Sequence, residues 1–232
     1  MPKRGIFASS RRLPVPNTVG DLYWDNVVLL LNGDVYDDQS TNTKTITPEA
    51  SVSISDQVVN FGTGSFNLPG STSKIVVSTD SDFAYGLNDF TIEFWIYPTS
   101  SKTGNLFYWT DGSESGLDAI ANTGNIDIRY VNGGTYRLTS DIVTINTWSH
   151  FAFVRNSNTL EMFVNGVSSG TTTSDRDYTT GSQQTIGARP SGSNFYDGYI
   201  DDIRITKGVA RYTEDFTPPT KAFPTHKLIS YT

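Results

Sequence analysis

Five glutamates, Glu49, Glu93, Glu114, Glu161 and Glu214, are the residues from which acid–base chemistry on a glycosidic bond would be built. That chemistry needs two carboxyl groups flanking the bond, ~5–10 Å apart. No glutamate here has another near it in the chain. The two histidines, His150 and His226, are isolated as well, and His150 lies in an apolar strand beside Trp148 and Phe151, where it reads as a packed residue. There is no cysteine, which removes thiol catalysis, disulfides and Cys-ligated zinc. Neither a Gly-x-Ser-x-Gly elbow nor a phosphate-cradling glycine loop occurs. The chain reads as a non-enzyme.

Binding chemistry is better represented. Calcium takes six to eight oxygens from carboxylates, amides and carbonyls, and the acids near expected turns are Asp34, Asp37, Asp38, Asp111, Asp118, Asp197, Asp201 and Asp202. Asp34, Asp201 and Asp202 are the candidate ligands. The alternative is that Asp201 or Asp202 instead bonds a neighbouring arginine such as Arg204, or backbone amides at a bulge. Aromatic rings stack on sugars, and Trp95 and Tyr97 share the more polar face of a strand. The loop at 191–198, SGSNFYDG, presents Asn194, Phe195 and Tyr196 among glycine and serine. These five are the candidate carbohydrate-binding residues, against the alternative that most of the aromatics are packed. Trp109, Tyr130 and Tyr136 fall near strand ends or loops. Lys3, Arg4, Arg11 and Arg12 are a candidate docking arm, against a solvated terminus.

The elements that must position these residues are strands. From Asp21 onward apolar residues come in short bursts divided by Gly, Asn, Asp and Ser, with no sustained helical period. Val27–Leu31 is a continuous apolar run, the mark of a strand buried on both faces, and Asn32-Gly33-Asp34 turns the chain after it. Strands are expected at 58–61, 65–68, 74–78, 90–97, 105–110, 119–121, 125–131, 135–139, 148–155, 159–165, 167–173, 184–188 and 199–206. The 90–97 segment alternates cleanly: Phe90, Ile92, Phe94 and Ile96 on one face, Thr91, Glu93, Trp95 and Tyr97 on the other. Ile200, Ile203 and Ile205 cannot share a face of a regular strand, so either Asp202 points inward or a bulge sits at Asp201-Asp202. One helical turn is expected at 207–211. Twelve or so strands suffice for an all-β, two-sheet antiparallel sandwich. The expected organisation is an extended basic arm over 1–20, one sandwich over 21–225, and a tail over 226–232. Three prolines make the stretch 216–231 an irregular strap over the body.

Length and composition agree. A chain of 232 residues with 12% aromatics supports one large β domain without staples. Four of the 17 basic residues and none of the 24 acids fall in the first twenty positions, so the remainder is strongly acidic. Such a body repels phosphate, and nucleic acid is an unlikely partner for it. No signal peptide or membrane-length apolar run is legible, and no Asn-x-Ser/Thr sequon occurs. A protein made in a cytoplasm is expected, with no membrane partner.

The segments VVLLLNGD (27–34), FTIEFWIYP (90–98), WSHFAFVRNSNTLEMFVNG (148–166), IGARP (186–190) and GYIDDIRITKGVARYTEDFTPP (198–219) together resemble the laminin-G-like, concanavalin A-like jelly-roll superfamily over about 25–219. The resemblance implies a jelly-roll sandwich. It also implies where glycanase carboxylates would sit, as Glu-x-Asp-x-Glu or Glu-x-Asp-x-x-Glu, and neither triplet is present. Many such domains bind calcium at a rim, and Asp201-Asp202 matches the superfamily's IDD step by pattern. The closing segment 205–225 is similar to the ends of such domains in tailed-phage virion proteins. This implies a multi-copy or homo-oligomeric virion protein, on head or tail, docked to other virion proteins through arm and tail. A carbohydrate-binding module for host surface glycan, with or without calcium, is the alternative.

Overall fold

The computed structural model describes residues 20–110, 116–122, 124–131, 137–140, 143–178 and 183–228. Within these, fifteen strands form two antiparallel sheets. The eight-stranded sheet runs β13 (Val167–Thr173), β12 (Thr159–Val164), β11 (Ser149–Asn156), β6 (Phe90–Pro98), β15 (Asp197–Lys207), β4 (Ser65–Pro69), β3 (Ser53–Ser55), with β1 (Val27–Leu31) also beside β15. The seven-stranded sheet runs β10 (Arg137–Thr139), β9 (Asn125–Val131), β8 (Gly116–Asn122), β7 (Gly104–Thr110), β14 (Gln183–Ile186), β5 (Lys74–Val77), β2 (Ile46–Glu49).

The core follows from the alternation. Phe90, Ile92, Phe94 and Ile96 of β6 meet Phe151 and Phe153 of β11, and across the sandwich lie Ile75, Phe107, Trp109, Ile126 and Ile128. Each such side chain stabilises the fold by ~1.5–3 kcal/mol. Val27–Leu31 is buried throughout, as its unbroken apolar run requires.

Of the two alternatives for the last strand, the structure has the bulge. Asp202 takes φ +49°, and the register of β15 against β6 shifts between Asp201 and Arg204. Ile200, Ile203 and Ile205 therefore all reach the core. The bulge also marks where the neighbour on the other side of β15 changes, β4 pairing with 197–200 and β1 with 203–206.

Three segments differ from expectation. Residues 58–61 form a loop rather than a strand, because their amides bond a side chain instead of a neighbouring strand. The short strands β2 and β3 have largely exposed, polar residues, which gave them no apolar alternation. Residues 207–211 make no helical turn: Gly208, at φ +81°, bends the chain off β15 across the sheet. From there the strap lays Ala210, Tyr212 and Phe216 on Ala152, Val154 and Phe163, and Phe223 on Val27 and Leu30.

Candidate functional site

The outward face of β6 is divided by the strap. Its first half carries Thr91 and Glu93, both buried. Thr91 Oγ1 donates to the Val209 carbonyl and accepts from the Arg211 amide. Glu93 Oε1 takes two bonds from Arg204, at 2.9 and 2.8 Å, and Oε2 takes one from the Tyr212 hydroxyl at 2.8 Å. Arg204 and Arg211 both continue to Asp21. Burial pushes the Glu93 carboxyl up, but the Arg204 guanidinium, with His150 and Arg211, outweighs it and holds the group at about 2. An ionised carboxylate bonded on both oxygens is a clasp for the strap, with nothing left for a substrate.

The second half of that face carries Trp95 and Tyr97, which the strap leaves half-buried. They are joined by three half-buried rings that the sequence reading did not single out as binding residues. Tyr97 packs on Trp148, centroids 5.5 Å apart, and on Tyr199 at 5.9 Å. Trp95 meets the edge of Phe61 at 5.6 Å and the buried His150 at 5.2 Å. Cross-strand register explains the row, since Trp95 pairs with His150 and with Asp201, and Tyr97 with Tyr199. Among the described residues Trp95 Nε1, Asn60 Nδ2 and His150 Nδ1 have no hydrogen-bond partner. These atoms are buried beneath the row, and the half-buried rings themselves are suited to a ligand with apolar ring faces.

Two of the candidate metal ligands position this row. Asp34 Oδ1 accepts from the Thr63 amide at 2.6 Å, the Thr63 hydroxyl at 2.9 Å and the Gly64 amide at 2.8 Å. Asp201 Oδ2 accepts from the Asn60 and Phe61 amides at 3.3 and 3.1 Å, and its Oδ1 from the Asp202 amide. Gly33, at φ +77°, lets the turn after β1 lie against Asp201; a Cβ there would sit 2.6 Å from the carboxylate. The loop at 58–64 is thus pinned so that Phe61 borders Trp95. Asp202 serves another part of the molecule: its Oδ2 accepts from the Phe223 amide of the strap at 2.9 Å. Burial is the main cause that raises Asp201 to about 7 and Asp202 to about 8, against the amides that lower both. Among the described residues no group of three or more His, Cys, Asp or Glu is placed to hold a metal ion.

The remaining candidates separate. Asn194 is exposed at φ +54° and Phe195 half-buried, on a loop anchored to β7 through the Asn105 amide and the Asn194 carbonyl. Tyr196 corrects the sequence reading. It is 1% exposed and part of the core, so it offers no face to a sugar. Trp109 is likewise buried, its Nε1 donating to the Phe83 carbonyl at 2.8 Å. The arm residues Lys3, Arg4, Arg11 and Arg12 and the side chains of Tyr130 and Tyr136 lie outside the described residues.

Fold and surface define a sandwich with an open aromatic face. The family model of the concanavalin A-like lectin/glucanases superfamily matches residues 69–214, and the chain belongs to that superfamily. Among solved structures it is similar to domain 4 of AbnA, an extracellular arabinanase from Geobacillus stearothermophilus, solved with arabinotriose: TM-score 0.67 at 17% identity, covering 80% of this chain and 94% of that one. It is similar to the receptor-binding domain of botulinum neurotoxin D, TM-score 0.65 at 18% identity, covering 81% of this chain and 51% of that one. The binding domain of Paraclostridial Mosquitocidal Protein 1 gives TM-score 0.66 at 19% identity, covering 82% and 50%. The chain therefore spans about half the length of the latter two domains. At these identities the likeness establishes the fold. No curated protein matches the sequence.

Proposed function

We propose that this chain is a non-catalytic carbohydrate-binding module that reads a host surface glycan with the row Phe61, Trp95, Tyr97, Trp148 and Tyr199. The carrying observation is that row: half-buried rings on the open half of a sheet whose other half is covered by the strap. A sugar ring stacks its C–H face on such rings, while hydroxyls meet half-buried Asn67, which pairs with Tyr199 across β4 and β15. Structural neighbours that are carbohydrate- or receptor-binding domains support the reading. Calcium has no part in it, since Asp34 and Asp201 already hold backbone amides. A glycan array, run in calcium and again in EDTA, tests this. The reading expects specific binding under both conditions. Binding lost in EDTA overturns the metal-free part, and binding in neither overturns the module.

The particle that displays the module is, in this reading, a tailed-phage virion, with other virion proteins and further copies of the chain as its neighbours. The resemblance of 205–225 to phage virion proteins and the segregation of Lys3, Arg4, Arg11 and Arg12 at one end support this. Deleting residues 1–20 should abolish incorporation into particles and leave the thermal transition in place. Truncated protein that still assembles normally contradicts the arm's docking role.

A further inference from the structure

The opposite face of the molecule carries a different constellation. On the outer side of the seven-stranded sheet Asp118 of β8 is fully buried, and its Oδ2 takes three bonds from two arginines. Arg129 of β9 donates through Nε at 3.2 Å and Nη2 at 3.1 Å, and Arg189 through Nη2 at 3.1 Å. Oδ1 is taken by the Asn105 amide group. Arg189 also lies over the Tyr108 ring, 5.7 Å from its centroid.

One carboxylate neutralises one of the two guanidiniums, which leaves one positive charge within this triad, in a chain that is acidic overall. The surplus is accessible. The Arg129 side chain is 40% exposed and that of Arg189 20%, while Asp118 is at 0%. Asp118 engages Nε and Nη2 of Arg129 and Nη2 of Arg189, while Arg189 Nε is buried and, among the described residues, without an acceptor. Here a buried carboxylate orients two planar forks whose side chains stay partly exposed.

We propose that Arg129 and Arg189 form an anion subsite for the carboxylate of an acidic sugar residue, with Asp118 as the positioning residue that aims them. A single surplus charge suits a monoanion, and the planar forks suit a planar carboxylate. A dense polyanion such as nucleic acid is disfavoured by the acidic body around the site. The subsite lies on the other sheet from the aromatic row and does not depend on it.

The test uses the full chain and three immobilised polyuronates: polygalacturonate, alginate and hyaluronan. At least one should retain the protein, and 0.5 M salt should weaken that binding about tenfold or more. Its methyl-esterified form should bind at least tenfold more weakly than the acid. Arg129→Gln, at a partly exposed position, should lose binding at least tenfold while its circular-dichroism spectrum stays that of the folded parent. Arg189→Lys keeps the charge but removes the fork and should also lose binding, whereas Tyr97→Ala should leave it intact. No retention on any of the three polymers, equal binding of acid and ester, or unaltered binding by Arg129→Gln overturns the proposal. Loss in Tyr97→Ala instead would assign acidic sugars to the aromatic row.

Discussion

At the scale of single residues, Asp201 and Asp202 show how one backbone irregularity divides two neighbouring carboxylates between two tasks. The broken alternation of three isoleucines made the bulge legible in the sequence. Which amides the two aspartates would meet was not legible, because the loop at 58–64 and the strap come from distant parts of the chain. The same limit applies to Tyr196: its flanking Gly, Ser and Asn mark an exposed loop, yet the ring turns into the core. Burial has a consequence that titration can measure. Asp202 at about 8 and Asp201 at about 7 lie above the ordinary carboxylate value of ~4. Between those limits the folded protein keeps protons that the unfolded chain has released, so stability falls as pH rises from ~4 toward 8. Glu93, held at about 2, acts in the opposite sense; its contribution is present above the ordinary value and is lost as pH falls toward 2. Asp202→Asn keeps an acceptor for the Phe223 amide and tolerates the positive φ. It should flatten the melting-temperature decline between pH 6 and 8.5 by ~3 °C or more. A slope equal to that of the parent protein contradicts the burial account.

At the scale of elements, β6 is the strand that matters, and its alternation was visible from the start. Sequence alone placed Trp95 and Tyr97 on the same side as Thr91 and Glu93. It did not show that the strap would cover the first pair of outward residues and leave the second open. That division depends on Gly208 bending the chain and on Phe216 docking beside Gly166, where the amide of Phe216 donates to the Gly166 carbonyl. Gly166 is at φ +77°, and a Cβ there would land on the Phe216 carbonyl oxygen. Gly166→Ala should therefore lift the strap and speed tryptic cleavage at Arg211 severalfold. Phe216→Ala removes the ring stacked on Tyr212 at 3.6 Å and should cost ~1–3 kcal/mol, a melting-temperature loss of several degrees. If neither variant changes cleavage or melting, the strap is not held by these contacts.

At the scale of the whole molecule, a two-sheet sandwich offers two outer faces, and here they differ in chemistry. One is aromatic and partly covered by the chain's own C-terminal segment; the other carries arginines around a buried aspartate. The sandwich itself was readable because a dozen short apolar bursts with turn residues between them leave few other architectures open. The aromatic row was only half readable. Trp95 and Tyr97 share a strand, but Phe61, Trp148 and Tyr199 join them through cross-strand register and a pinned loop, which no local pattern encodes. The measurement that tests the row most directly is a nuclear magnetic resonance titration of the four indole N–H signals with the best neutral glycan from the array. The account predicts that the signals of Trp95 and Trp148 shift with ligand, while that of Trp109, bonded inside the core to the Phe83 carbonyl, stays in place. Saturable binding that leaves both Trp95 and Trp148 unmoved would place the glycan elsewhere and contradict the account.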